Sequence, residues 1–266
     1  MKTLMRYGAF TCAIILGACG KDAAGPNVDT PLVTADLAVV AADAAGEDVD
    51  IMREPVVFPS MAATFAPGNG DFNPVNCTYN TTTQRLECPP FTRDNSLVVT
   101  RSYMFWDAFN VVQQAYDALL TAKANVQTDI QGTRTTDRWS AEIHRSRDLT
   151  VTGLLGTETE RTWNGTGVSE ATRSRHTDGG DRSYDISCTL TVNNVVVPVE
   201  RGDERFPTGG TITRVCLITF VGGPRDGQTV TRTAVVTFNG SETATLTIGD
   251  KTFDIDLKSR NRTPRP

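Results

Sequence analysis

The residues best suited to bind an anion are arginines on segments with alternating polarity. Arg145 and Arg147 share the register of the apolar residue Ile143, and Arg214 and Arg232 also fall among apolar positions of their segments. A guanidinium group forms paired hydrogen bonds with carboxylates and phosphates. These four arginines are therefore candidates for an anionic-ligand site inside the protein. The alternative is that they lie at strand ends and extend to water.

Catalytic chemistry has little support in the sequence. Metalloprotease, P-loop, dinucleotide-binding and nucleophile-elbow patterns are all absent. The carboxylates of Asp254 and Asp256 share one strand face, but apolar residues fill the other face, which is typical of a solvated edge. His144 lies on the polar face of a strand-like segment. We therefore assign no catalytic residue, no metal ligand and no cofactor, and we expect a protein that is not an enzyme.

The first residues predict export from the cytoplasm. Lys2 and Arg6 precede a short apolar run from Ala9 to Leu16, which is too short to span a membrane and has the form of a secretory signal. The run ends in Leu16-Gly17-Ala18-Cys19, which resembles the lipobox of bacterial lipoproteins. The alternative is an ordinary signal peptide with a chance cysteine.

The resemblance to bacterial lipoproteins implies a membrane anchor. It implies that residues 1–18 are removed and that Cys19 becomes the lipidated N-terminus, with the membrane as a partner. Gly20, rather than an aspartate, follows the cysteine. In lipoproteins of double-membraned bacteria this implies release to the outer membrane, so the expected location is the cell envelope.

Residues 19–55 have the composition of an acidic tether. Residues 20–54 hold eight acidic and two basic side chains. Within this segment, Thr34–Met52 carries an apolar stripe at steps of three and four residues, with Thr34 as a candidate N-cap, so we predict a short amphipathic helix. The helix could dock on a partner, lie on the protein's own domain or be only half-formed in the tether.

Residues 56–258 are predicted to form a single β-rich domain. Apolar residues alternate with polar ones in Asp137–Thr152 and in Ser183–Val192, and Gly249-Asp250 separates two short apolar segments as a hairpin turn would. We expect a mainly β fold, a large antiparallel meander that forms a barrel-like or sandwich domain with one or two short helices. Residues 259–266 are expected to be a disordered basic tail.

One stretch inside this domain is ambiguous. Tyr103–Lys123 fits a helical stripe, yet Leu97–Phe105 and Ala122–Ile130 both alternate as strands do. We predict two strands with a short helix or an irregular crossing between them, near residues 109–120.

The sequence has six cysteines, of which Cys12 lies in the predicted signal and Cys19 is the predicted lipidation site. The four that remain are an even number, which favours two disulfides. If Cys77 pairs with Cys88, residues 81–84 form a loop of ordinary length. If Cys188 pairs with Cys216, the same register brings each apolar residue of one strand opposite an apolar residue of the other. We therefore predict both bridges; the alternative is that the cysteines are buried and free.

Composition limits the function further. The net charge is −5 and the isoelectric point is near 5.1, which argues against a nucleic-acid partner. The region after the cysteine resembles uncharacterised β-rich envelope lipoproteins in the Thr133–Thr166 run and the Val235–Leu257 hairpins. We expect a non-catalytic envelope lipoprotein with a binding or structural role, whose partner is a small apolar or anionic ligand, a glycan or an envelope protein. The alternative is a β-barrel hydrolase or isomerase that uses arginine and carboxylate groups.

Overall fold

A computed structural model describes one α-helix and thirteen strands, with a short 3-10 helix at Gly223–Arg225. The described residues are 30–53, 76–93, 96–117, 119–136, 139–155, 158–175, 182–199, 206–259 and 262–264. The helix is α1 (Thr30–Arg53). The strands are β1 (Thr78–Asn80), β2 (Arg85–Arg93), β3 (Leu97–Asp107), β4 (Val112–Gln113), β5 (Thr121–Thr136), β6 (Trp139–Thr152), β7 (Glu160–Arg175), β8 (Arg182–Pro198), β9 (Gly209–Val221), β10 (Thr229–Thr237), β11 (Thr243–Ile248), β12 (Lys251–Asp256) and β13 (Arg262–Pro264).

All thirteen strands belong to one antiparallel sheet. Each strand pairs with its neighbour in the chain, except that β3 pairs with β5 and the short β4 pairs only with β3. The order is linear, and no pairing between described residues joins β1 to β13, so the sheet is not a closed barrel. The mainly β fold with a large antiparallel meander is confirmed.

The strands bury one face and expose the other. In β6 the odd-numbered residues from Ala141 to Val151 are buried, while the even-numbered ones are exposed or half-buried. This is the alternation that the sequence predicts. The inward parity includes Arg145 and Arg147, which are as buried as their apolar neighbours.

The helix predicted over Thr34–Met52 exists, and it is longer than expected, with 24 residues. It begins at Thr30, so Thr34 is a buried residue of the helix and not its N-cap. Pro31 fits the first turn, because an N–H group there has no intrahelical acceptor. No helix among the described residues is both long enough and apolar enough to cross a membrane.

This helix lies in the core and not in a tether. Leu37, Ala41, Ala45 and Val49 are almost fully buried and belong to the same apolar cluster as strands from across the sheet. The sequence leaves three possibilities open: a helix docked on a partner, a helix on the protein's own domain, or one half-formed in the tether. The structure has the second. The segment 30–53, placed by the sequence in the tether, is therefore part of the folded body.

Both predicted disulfides are present. Cys77 is bonded to Cys88 and Cys188 to Cys216. In the second pair, Cys188 lies directly opposite Cys216 in the register of β8 and β9, with Ile186 opposite Ile218. The predicted apolar pairing is confirmed for Tyr184 with Phe220, Ile186 with Ile218 and Val192 with Ile212, but it is wrong for Leu190, which lies opposite Arg214.

Two other segments bear on the sequence predictions. The crossing after β3 is irregular, with turns and the two-residue strand β4, and its described residues contain no helix. At the C-terminus, Arg262–Pro264 of the predicted disordered tail form β13, which pairs with Phe253–Ile255 of β12. The tail prediction is wrong for these three residues, because β12 offers them a free edge for backbone hydrogen bonds.

Candidate functional site: the arginine–carboxylate core

The helix carries a buried stripe of carboxylates. Asp36, Asp43 and Glu47 are spaced by seven and four residues, which places them on one side of an α-helix, with Asp48 beside Glu47. Relative exposures are 7% for Asp36, 7% for Asp43, 2% for Glu47 and 0% for Asp48. Carboxylates are almost never buried this deeply unless they are paired.

The sheet supplies the partners from inward-facing arginines. Arg145 and Arg147 come from β6, and Arg214 comes from β9; all three are at most 3% exposed. The parity of the strands decides this placement, because alternate residues face the helix. Gly167 of β7 lies opposite Arg147, where a Cβ atom would stand 2.9 Å from Cδ of Arg147. The glycine thus leaves room for the arginine side chain.

Asp48 is the centre of the deepest cluster. Its Oδ1 accepts a hydrogen bond of 2.7 Å from Nε of Arg147, and its Oδ2 accepts one from Nη2 of Arg214. Arg147 also donates from Nη1 to the backbone carbonyl oxygens of Ser146 and Val168, each at 2.9 Å. One carboxylate therefore bridges two strands that lie far apart in the sheet.

A second cluster forms around Arg145, which binds Glu47 and Asp43 of the helix. Arg145 donates to Oε2 of Glu47 and, over 3.3 Å, to Oδ2 of Asp43. Asp43 also accepts a hydrogen bond of 2.8 Å from Arg134 at the end of β5. Together these contacts fix the rotation of the helix against β5 and β6, because the paired groups have no water to replace a lost partner.

The third cluster lies at the end of the sheet where α1 begins. Asp36 accepts a hydrogen bond from Arg175 and one of 2.9 Å from the Tyr184 hydroxyl group, and it forms an ion pair of 3.3 Å with Arg182. One carboxylate thus faces two guanidinium groups and a phenol.

Burial changes the ionisation of these groups. Desolvation lowers the pKa of Arg145 to about 10 and that of Arg214 to about 10, against the raising effect of nearby Asp43 and Asp48. Desolvation also raises the pKa of Tyr184, which the guanidinium groups of Arg182, Arg175 and Arg225 oppose. Both buried arginines remain charged at neutral pH, so the clusters are ion pairs there.

The described residues leave only a small cavity between the start of the helix and the sheet. A cavity of about 10 Å³ lies beside Asp36, Leu37 and Arg173. A water molecule needs about 10–15 Å³ by the same measure. In the described part of the chain, the inward arginines Arg145, Arg147 and Arg214 bind carboxylates of the protein's own helix. An internal anionic ligand would have to displace these carboxylates.

The predicted ligand-binding arginines divide into two groups. Arg145, Arg147 and Arg214 do come together inside the sheet. Arg232 does not join them: it has the inward parity of β10 but is half-exposed, and its Nη1 donates to the carbonyl oxygen of its neighbour Thr231. Cys19, the predicted lipidation site, lies outside the described residues.

The carboxylates of α1 are the functional partners that the sequence interpretation missed. They fall in the predicted acidic tether, although the spacing of Asp36, Asp43 and Glu47 by seven and four residues matches one helix face. Two features of the sequence together indicate the pairing. The carboxylates share one helix face, and the arginines at inward-facing strand positions need buried counter-ions.

The other polar candidates lie on the outer face. His144 contacts Asp129 through Nε2 at 2.9 Å and Glu170 through Nδ1 at 4.0 Å, and all three side chains are substantially exposed. Asp256 accepts hydrogen bonds of 2.8 Å from the backbone N–H groups of Lys258 and Ser259 and so closes the turn after β12. Both arrangements stabilise surface structure.

Comparison with known proteins adds no relative. No protein-family model matches the chain, and no curated protein or solved structure is similar to it.

Proposed function

We propose that this chain is a non-catalytic lipoprotein of the bacterial cell envelope, anchored at the outer membrane through Cys19, with a binding or structural role. The observation that carries the proposal is the filled interior: α1 occupies the space that a ligand carrier would keep open. A packed core is expected of a structural or adhesive module, whereas a carrier needs a lined cavity. The lipobox-like Leu16-Gly17-Ala18-Cys19 supports the anchor.

The enzyme alternative draws no support from the clusters. A hydrolase or isomerase would need a carboxylate or arginine that can reach a substrate. Asp48 and Arg147 are at most 1% exposed in their side chains and bind each other. These groups serve the packing of the helix.

A protruding loop supports a binding role. Four large apolar side chains between β3 and β5 are strongly exposed: Phe109 (88%), Val111 (59%), Leu119 (84%) and Leu120 (57%). Asp107 accepts hydrogen bonds of 2.8 Å from the backbone N–H groups of Phe109 and Val111, so the loop is held in this conformation. Large exposed apolar side chains that share one connecting segment are typical of interaction sites.

The position of this loop favours an envelope protein as its partner. The loop joins the end of β3 to the start of β5. These strand ends lie at one end of the sheet, and the β7–β8 hairpin lies at the other, near the start of α1. Cys19 is eleven residues from Thr30, a reach of at most about 38 Å. The 14 residues of β6 span about 46 Å. The loop therefore lies on the side of the body remote from the anchor.

Metabolic labelling tests the anchor. Cells that express the chain are fed a clickable palmitate, and the label on the purified polypeptide is measured in the native chain and in Cys19→Ala. We expect label on the native chain and none on Cys19→Ala. The matched control is Cys12→Ala, which changes a cysteine inside the predicted signal and should keep the label. An unlabelled native chain contradicts the proposal.

Photocrosslinking tests the loop. A photoreactive phenylalanine analogue is placed at position 109 or, as a control, at exposed position 233 on β10. We expect a discrete adduct from position 109 that is lost in Leu119→Ser. The same adducts from both positions would contradict a specific contact.

A further inference from the structure

A cleft of about 390 Å³ opens at the end of the sheet where α1 begins. Its apolar wall consists of Leu32 and Val33 from the first turns of α1, and of Phe220 and Val221 from the end of β9. Small-molecule sites typically have volumes of about 300–1,000 Å³, so this cleft is large enough for part of a lipid. It opens at the surface and borders the packed interior, with which it shares Val33 and Tyr184.

Two guanidinium groups line the same cleft. Arg225 lies with its Cζ atom 5.6 Å from the centre of the Phe220 ring, and it forms no ion pair among the described residues. Arg182 has only a share of a carboxylate, because Asp36 also binds Arg175. A cation that has no carboxylate of its own is available to an anionic ligand.

The described charges near the cleft leave a positive surplus. Arg175, Arg182 and Arg225 stand against Asp36 and Asp226. The carboxylate of Asp226 is engaged within its own hairpin, where Oδ1 accepts a hydrogen bond of 2.7 Å from the backbone N–H group of Gly222. Arginine side chains in this setting bind carboxylate or phosphate groups through paired hydrogen bonds.

The apolar part of the cleft is also incompletely covered. Leu32 is 43% exposed and Val221 is 41% exposed, and both border the space in front of the arginines. A hydrocarbon chain would remove this surface from water, which is favourable in proportion to the area covered.

We propose that this cleft binds an anionic amphiphile, with its acidic headgroup on Arg182 and Arg225 and its hydrocarbon chain along Leu32, Phe220 and Val221. The ligand chemistry follows from two features that lie side by side: guanidinium groups in excess over their carboxylate partners, and an apolar wall that is partly exposed. The first turn of α1 follows Cys19 by eleven residues, at most about 38 Å of chain. An acidic phospholipid of the anchoring membrane is therefore the source within reach, and this choice of source rests on the proposed function.

Photocrosslinking to lipid tests the proposal. The lipidated full chain is placed in phosphatidylcholine vesicles that contain a trace of phosphatidylglycerol with a photoactivatable acyl chain, and labelled peptides are mapped by mass spectrometry. We expect labels in residues 30–33 and 218–225. Arg225→Gln should reduce the yield about tenfold, which is the loss of one charge-assisted hydrogen bond. Arg232→Gln, a half-exposed arginine outside the cleft, should label as the native chain does.

The other arms separate the sources and the possible failures. Equal labelling by a photoactivatable phosphatidylcholine, or undiminished labelling of Arg225→Gln, overturns the proposal. Competition by added dodecanoate supports a site that also accepts free anionic amphiphiles, and persistence of the label assigns the site to bilayer lipid. If the chain carries no palmitate, the proposed lipid anchor is contradicted, but the proposed cleft is not. The cleft is then tested on the unanchored chain with lysophosphatidylglycerol below its micelle concentration, where an absence of binding overturns it.

Discussion

Asp48 of α1 and Arg214 of β9, which are 166 residues apart in the chain, form an ion pair from which water is excluded. The side-chain exposures are 0% for Asp48 and 3% for Arg214. Arg147 of β6 binds the other oxygen of the same carboxylate at 2.7 Å. The helix is thus locked to two remote strands through one residue.

Loss of this carboxylate should be costly. Asp48→Asn leaves Arg147 and Arg214 buried without their counter-ion, and breaking a buried pair on one side typically costs 3–5 kcal/mol. We expect the free energy of unfolding, measured by urea denaturation, to fall by about 3–5 kcal/mol.

The control for this substitution is an exposed ion pair. Asp250 is 86% exposed and lies 3.5 Å from Nζ of Lys251. Asp250→Asn should change the free energy of unfolding by less than about 0.5 kcal/mol. Equal effects at Asp48 and Asp250 would contradict the burial of the Asp48 cluster.

A glycine in β7 should be needed to accommodate Arg147. A Cβ atom at Gly167 would stand 2.4 Å from the Ser146 carbonyl oxygen and 2.9 Å from Cδ of Arg147. We expect Gly167→Ala to lower the free energy of unfolding by about 1–3 kcal/mol, since the backbone and the arginine must both shift. Gly209→Ala is the matched strand control, because no atom lies within 4 Å of its added Cβ. If Gly167→Ala leaves the urea midpoint of unfolding unchanged, the Arg147 side chain does not pack against Gly167.

The phenol of Tyr184 should ionise at a higher pH than an exposed tyrosine does. Burial raises its pKa above the ordinary value of 10.0, and burial also raises the pKa of Tyr116. A phenol whose pKa is raised by folding contributes stability that is fully present below about pH 10 and lost as the pH rises through the folded pKa.

Tyrosinate absorbance measures this effect. We expect part of the tyrosine absorbance change to appear only above about pH 10 in the folded protein and to move down to the ordinary range in denaturant. Tyr184→Phe should reduce the late fraction. If Tyr184→Phe leaves the fraction that ionises above about pH 10 unchanged, the burial of this phenol is contradicted.

Local sequence patterns are sufficient to predict the disulfides and the strands with clear alternation, but not β13 in the C-terminal tail. The alternation in Asp137–Thr152 identifies the buried face of β6, and the apolar pairing of Cys188 with Cys216 requires only the register of two neighbouring strands. These features depend on residues close in the chain or on one hairpin. The helix was predictable for the same reason, from a stripe with a period near 3.6.

The location of the helix could not be predicted in this way. Its contacts join residues such as Glu47 and Arg145, 98 positions apart, and no local period encodes such a pair. The acidic composition around α1 suggested a solvated tether, because buried carboxylates are rare. The core location of the helix can be inferred only when the helix carboxylates and the inward-facing arginines are considered together as ion-pair partners.

The central claim is that α1 is held inside the sheet by its carboxylates, and a double-mutant cycle on Glu47 and Arg145 tests it most directly. Free energies of unfolding are measured for the native chain, Glu47→Gln, Arg145→Met and the double variant. Direct contact of two buried charges predicts a coupling of about 2–3 kcal/mol between the two substitutions. Additive effects, with a coupling below about 0.5 kcal/mol, would place the helix outside the sheet and contradict the account.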